Sequence, residues 1–333
     1  MSSYSICISR LIISRGLPRS RLQETLEALN ACTDLALDLQ LKILQALSSL
    51  LQNYADDLKG DLLSGALEVC SSLQSAKART VSGVAAATLQ QLVTSVFEKV
   101  GNEDKHPGEV QAQNEVPGDD GPIKLRPAAF DAYRVFRDLA LAAEDRKTKF
   151  VQFASLSEES SLELIWSCIV ANPSLFATHQ ELSSTIRSNV LPYITRALSE
   201  KLNYATTLRS LRLLDLIISR YMKQFPAECE VALGLVIHTL DPDASPMWKR
   251  ATAMEILRNF FAEGSRVIDA YALYDMADGG KTDRRGSDVR LCASLFRKAI
   301  CHRTRSAVKR SSRISLCERC LIYLSVRSFE RLN

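Results

Sequence analysis

The side chains able to do chemistry in this 333-residue sequence are few and poorly grouped. Its four histidines, His106, His179, His238 and His302, lie in no H-E-x-x-H pattern, and no G-x-S-x-G occurs. Zinc-dependent hydrolysis and serine-type acyl transfer therefore have no visible carrier. Gly280-Lys281-Thr282 has the ending of a phosphate-binding loop, but Asp275 stands five places before Gly280, where that loop needs glycine. An aspartate there repels phosphate, so a plain loop is expected. Cys317 and Cys320 have the spacing of a zinc pair, with Cys292, Cys301 and His302 as the remaining ligands. The intervals between those three and the pair form no second close pair, which favours coincidence over a zinc site. Neither a catalytic residue nor a cofactor or metal is expected.

Recognition chemistry is better represented. Trp166 and Trp248 are the only tryptophans, and tryptophan is favoured at interface hot spots. Trp166 falls between Ile165 and Cys168 in an apolar helical stretch and is expected in the core. Trp248 follows Pro246 at a helix start and precedes Lys249 and Arg250, a place where a ring is often half exposed. Trp248, Lys249 and Arg250 are the candidate partner-binding residues.

The elements that must position these residues read as helices. Leu37, Leu41, Leu44, Leu47 and Leu51 fall at helical steps, as do Leu89, Leu92, Val93, Val96, Phe97 and Val100. Met247, Ala251, Met254, Leu257 and Phe261 repeat the pattern later, and strand alternation is never sustained as long. Only 13 Gly and 10 Pro, with 7% aromatic residues, leave too few turn-formers for a many-stranded sandwich or barrel. About a dozen amphipathic helices pairing at intervals near 40 residues suit an all-α, HEAT/armadillo-like α-solenoid.

Residues 101–126 hold four Gly, three Pro and six acids with almost no large apolar side chain. They read as a disordered linker between helical domains at 1–100 and 127–280. Residues 281–333 carry 14 Lys and Arg against four Asp and Glu, within a chain of net charge +4. This basic tail, which includes Arg303, Arg305, Lys309, Arg310 and Arg313, could attract nucleic acid or anionic lipid. No aromatic residue is interleaved between Arg303 and Arg313, so a solvated tail is the safer reading. The longest charge-free runs, Leu164 to Gln180 and Val81 to Phe97, are too polar for a membrane span of roughly 20 apolar residues. No secretory signal is apparent, and Cys7, Cys32, Cys70, Cys168 and Cys229 are scattered in helical patterns, as expected of a cytoplasmic chain.

Several strings carry a family resemblance: LQLKILQALSSLLQNY (Leu39 to Tyr54), VSGVAAATLQQLVTSVFEKV (Val81 to Val100), LELIWSCIVANPSLF (Leu162 to Phe176), LPYITRALSEK (Leu191 to Lys201) and LDPDASPMWKRATAMEILRNF (Leu240 to Phe260). The sequence resembles the Mon-two family of large Golgi-associated trafficking proteins. That family is related to the BIG-type Arf guanine-nucleotide exchange factors but lacks their exchange domain. The resemblance covers about residues 11–280. It likens residues 11–100 to a dimerisation and cyclophilin-binding domain, and residues 127–278 to the domain called homology upstream of the exchange domain. It implies a non-catalytic scaffold on trans-Golgi network and endosome membranes. Its implied partners are a Dopey-type scaffold, an Arf-like GTPase and an aminophospholipid flippase, and it also implies self-association. The alternatives are the regulatory N-terminal region of a true Arf exchange factor, or an unrelated karyopherin-like adaptor. Against the family pattern the sequence is expected to be truncated at both ends, with residues 281–333 an aberrant tail such as a retained intron or shifted frame yields.

Overall fold

The computed structural model describes residues 10–275 apart from 107, 109, 110, 119, 120, 154, 200–202, 242 and 244. The Gly280-Lys281-Thr282 loop, the Cys317/Cys320 pair and the basic tail lie outside the described residues. The chain divides into two compact units, Met1–Tyr193 and Ile194–Asn333.

The first unit opens with α1 (Leu22–Asn30), α2 (Leu37–Asn53), α3 (Asp61–Gln74) and α4 (Arg79–Lys105). A two-stranded ribbon, β1 (Asn114–Gly118) and β2 (Gly121–Leu125), follows. After it come α5 (Pro127–Ala143), α6 (Glu158–Ala171), α7 (Pro173–Thr178) and α8 (Gln180–Thr185), which runs through a π-helical turn, Ile186–Val190, into α9 (Leu191–Ser199). The second unit contains α10 (Tyr204–Tyr221), α11 (Pro226–Thr239), α12 (Met247–Ala262) and α13 (Gly264–Ala270). Helices dominate the described residues, in line with the all-α reading.

In α4 the apolar stripe read from the sequence is the stripe that packs: Leu89, Leu92, Val93, Val96, Phe97 and Val100 are all buried. In α2 the packing face is turned instead, because Ile43, Leu44, Ala46, Leu47 and Leu50 are buried while Leu37 is exposed. The helix has apolar residues on two adjoining stripes, and contact with α3 and α4 selects the one containing Ile43.

The segment expected as a disordered linker is structured over much of its length. Helix α4 continues to Lys105, and β1 and β2 pair antiparallel with Asn114 opposite Leu125 and Val116 opposite Ile123. The side chains alternate as a half-covered ribbon requires: Val116 and Leu125 are buried, whereas Glu115, Pro117, Pro122 and Lys124 are exposed. Gly118 closes the hairpin because a Cβ there would come within 2.5 Å of Ile123 Cδ1, and Gly121 takes φ +136°.

The helices on either side of residues 101–126 share an aromatic core within the first unit. Phe97 of α4 stacks on Phe176 of α7 at 5.7 Å, and Phe136 of α5 meets Phe176 edge-on at 4.8 Å and Phe97 at 6.3 Å. All three rings are fully buried.

Buried carboxylates finish this core. Asp138 on α5 is inaccessible to solvent, and its Oδ2 accepts the backbone N–H groups of Lys149, Phe150 and Val151 at 3.2, 2.5 and 2.9 Å. Asp131, one helical repeat earlier, accepts the Gly60 N–H at 2.9 Å and pairs with Arg134. The Arg134 guanidinium in turn lies over the rings of Phe130 and Phe150, 4.4 and 3.6 Å from their centroids. Ser64 of α3 donates to the Phe150 carbonyl at 2.7 Å, so one loop is tied to two helices.

Because α4, α5 and α7 share these rings, Phe136→Ala is expected to cost about 3–5 kcal/mol in urea unfolding. Amides of α4 and α5 should lose hydrogen-exchange protection together, where independent domains would lose it separately.

Candidate interaction surface

Two groupings of functional side chains emerge, one polar and one aromatic. In the first unit the short helices α7 and α8 break at His179, whose ring is mostly covered. Its Nδ1 lies 2.7 Å from Glu181 Oε1 and its Nε2 3.0 Å from Asp104 Oδ2, at the last turn of α4. Arg126, at the end of the ribbon, pairs with the same Asp104 and also donates to the Glu103 carbonyl. Glu103 Oε1 accepts the Ala128 N–H at 3.0 Å. This cluster fastens the end of α4 to the start of α5 and to the α7–α8 turn.

The hydrogen bond to Glu181, followed by the bond to Asp104, outweighs the effect of burial and raises the His179 pKa from 6.5 to about 9. With both nitrogens donating to carboxylates, the ring is a charged clamp with no lone pair left to accept a proton. That geometry suits a structural ion, not a general base. Among the described residues no group of three or more His, Cys, Asp or Glu is arranged to hold a metal ion.

The second grouping centres on α12. Of the stripe read as its core face, Leu257 and Phe261 are buried, whereas Met247 is 79% exposed, Ala251 is exposed and Met254 half-buried. Ala253, Ile256 and Phe260 complete the buried face. The first two turns of the helix therefore present their part of the stripe to solvent. Next to the outward stripe, Trp248 is half-buried, with the ring of Tyr204 set against it at 4.7 Å and an interplanar angle of 67°. Tyr204, the first residue of α10, is itself 58% exposed. The start of α10 is fixed by Asn203, whose side chain accepts the Thr206 N–H at 2.8 Å.

The three residues singled out by sequence take different positions. Trp248 faces outward with Tyr204 and Met247, two residues that sequence reasoning did not connect to it. Lys249 turns inward and donates to the Leu198 carbonyl at 2.7 Å, and burial lowers its pKa. Arg250 is half-buried, and its Nε has no hydrogen-bond partner. The exposed surface is therefore aromatic and thioether in character, with its cations drawn back. Trp166, expected in the core, is 36% exposed, because α6 packs through Leu162, Ile165, Cys168 and Ile169.

Among the described residues no helix is long and apolar enough to cross a membrane. Two helical domain families match. Residues 3–104 match the family described as Mon2/Sec7/BIG1-like, dimerisation and cyclophilin-binding domain, and residues 128–282 match the Mon2/Sec7/BIG1-like HUS domain. Among curated proteins the chain is 27% identical over 322 residues to the MON2 homolog of Schizosaccharomyces pombe, a match covering 96% of this chain and 18% of that protein. It is 28% identical to MON2 of Saccharomyces cerevisiae, over 81% of this chain and 17% of that protein. It is 29% identical to the MON2 homolog of Homo sapiens, over 71% of this chain and 15% of that protein. The chain belongs to the Mon2 family, within the wider Mon2/Sec7/BIG1-like group. It spans less than a fifth of the length of these relatives.

The clamp carries a pH signature. A pKa raised on folding contributes stability that is complete below the unfolded value, about 6.5, and is lost as pH rises through about 9. His179→Gln should cost about 1–3 kcal/mol at pH 6 and progressively less toward pH 9.5. Urea unfolding of both proteins across that range measures the difference, and a constant gap would show that His179 is not charged in the folded state.

Proposed function

We propose that the protein is a non-catalytic scaffold in vesicle-mediated transport at late Golgi and endosomal membranes. The observation that carries this reading is the succession of a dimerisation and cyclophilin-binding domain and an HUS domain, together with the similarity to Mon2 proteins of fungi and animals. On this reading the helices stack as a HEAT/armadillo-like solenoid, and partners are held by surface area and shape. The outward face of α12, with Met247, Trp248 and Tyr204, supplies one such surface. Trp248 is its anchor, while Lys249 ties the helix start to the Leu198 carbonyl of its own unit. The partner class is a Dopey-type scaffold, with an Arf-like GTPase and an aminophospholipid flippase in the same assembly. Self-association belongs to the first domain, and membrane attachment is peripheral.

A second reading, the regulatory region of an Arf exchange factor, is favoured by the mention of Sec7 and BIG1 in both family descriptions. An exchange domain encoded in frame beyond residue 282 would select it.

Two measurements test the scaffold reading. The full chain should leave nucleotide exchange on Arf and Arf-like GTPases at the spontaneous rate. Acceleration abolished by mutating a surface acid would overturn the non-catalytic assignment. Trp248→Ala should weaken binding to a purified Dopey-type scaffold by about thirtyfold, the loss of a hot spot worth about 2 kcal/mol. Unchanged affinity, with the helical circular dichroism intact, would remove α12 from the interface.

A further inference from the structure

We infer that the free edge of β2 is a docking strand for an extended, acidic segment of a partner protein. The argument begins with register. Pro117 stands opposite Pro122, and neither has an N–H to give, so this pair belongs to the non-hydrogen-bonded class of the antiparallel ladder. Classes alternate along a strand, which places Glu115 and Lys124 in the same class. The Lys124 N–H and C=O therefore point away from β1. Consistent with this, the neighbouring Leu125 carbonyl turns toward β1 and accepts the Gln113 N–H at 3.1 Å. An unpaired edge of this kind binds an extended chain by completing its backbone hydrogen bonds.

The surroundings select where and what. Pro122 removes the N–H that would extend pairing toward the hairpin tip, so an added strand pairs at the Lys124–Arg126 end. At that end β2 borders a cleft of about 720 Å3, whose other walls include residues 178–181. Among the described residues the ionised groups lining it are Lys124, Arg126, His179 and Glu181, and Glu181 is buried beneath the imidazolium. Lys124 is largely exposed, and its ion pair with the exposed Glu115 is long at 3.7 Å. Such a pair contributes little and yields readily to a better partner. Arg126 and His179 are balanced by Asp104 and Glu181, so Lys124 is the cation that meets a strand arriving at β2.

Charge also decides between a foreign strand and a second copy. Pairing β2 with β2 of another molecule brings two Lys124 edges together, and like charges facing each other across strands are destabilising. An acidic strand meets attraction at the same place.

The test uses the full chain and two fluorescein-labelled decapeptides, one alternating valine with glutamate and the other valine with lysine, followed by fluorescence anisotropy. Saturable binding of the glutamate peptide is expected, with the lysine peptide at least about tenfold weaker. Lys124→Pro removes the outward N–H at a register position where Pro122 is already tolerated, and should weaken the glutamate peptide by about tenfold. Lys124→Glu leaves the backbone free and inverts the charge, so it should weaken the glutamate peptide and strengthen the lysine one. Equal binding of both peptides, no saturable binding, or affinity unaffected by both variants would overturn the assignment. Self-association abolished by Lys124→Glu would overturn it in favour of a second copy as occupant. Nucleotide exchange and the Trp248 interface are read separately, so failure here leaves the scaffold reading standing.

Discussion

The contact among Phe97, Phe136 and Phe176 is the constraint on which the first unit depends. Three fully buried rings from α4, α5 and α7 meet within 6.3 Å, so the helices that carry them share one core across the interval between the two family matches. Burying a large aromatic side chain stabilises by roughly 1.5–3 kcal/mol before packing geometry is counted, and these rings add one stacked and two edge-to-face contacts. With α4 and α5 held in common, the segment joining them has its ends fixed. A short ribbon with a half-covered apolar face then closes the interval.

Polar groups elaborate the same junction. Asp104, Arg126, His179 and Glu181 meet at the end of α4, and the charge state of His179 is set by the carboxylates on either side of it. Asp131 and Asp138 do comparable work on the other flank of α5, accepting backbone N–H groups from segments without regular structure. A buried carboxylate that accepts several N–H groups leaves no orphan donors in the loop it holds. The second unit follows different chemistry. Its exposed feature is an aromatic pair beside an apolar stripe, with Lys249 spent on a helix-terminal carbonyl.

Much of the helical content was legible because burial and periodicity agree in α4, where every residue of the expected stripe is covered. The phase of α2 was not legible, since that helix carries adjoining apolar stripes and only the neighbouring helices decide between them; in α12 the stripe was legible but its first two turns are left uncovered. Trp166 was misplaced for a related reason: apolar neighbours in sequence lie at every angle around a helix, and only residues three and four apart share its face. The ribbon was hidden by composition. Its Gly, Pro and acidic residues resemble a linker, while the informative alternation of Val116, Ile123 and Leu125 is only a few residues long. The His179 clamp left no trace, because Asp104 is 75 residues away and no local pattern links them. Trp248 was singled out because a tryptophan after a proline at a helix start is a local signal.

The Asp138 carboxylate also divides the α5–α6 connection into stretches of unequal freedom. Residues 149–151 hang from a single buried oxygen and residues 144–146 donate back to the Leu141 and Ala142 carbonyls, whereas Lys147 and Thr148 lie between the two anchors. Loop length is inexpensive in entropy, with each doubling costing only about 0.6 kcal/mol, whereas displacing an anchored backbone exposes three donors at once. Insertions and deletions across this family should therefore accumulate at Lys147 and Thr148, with the distance from the anchored stretch to α6 nearly constant. The same stretch is the natural place to introduce an epitope or a fluorescent reporter into the first unit without loosening its core.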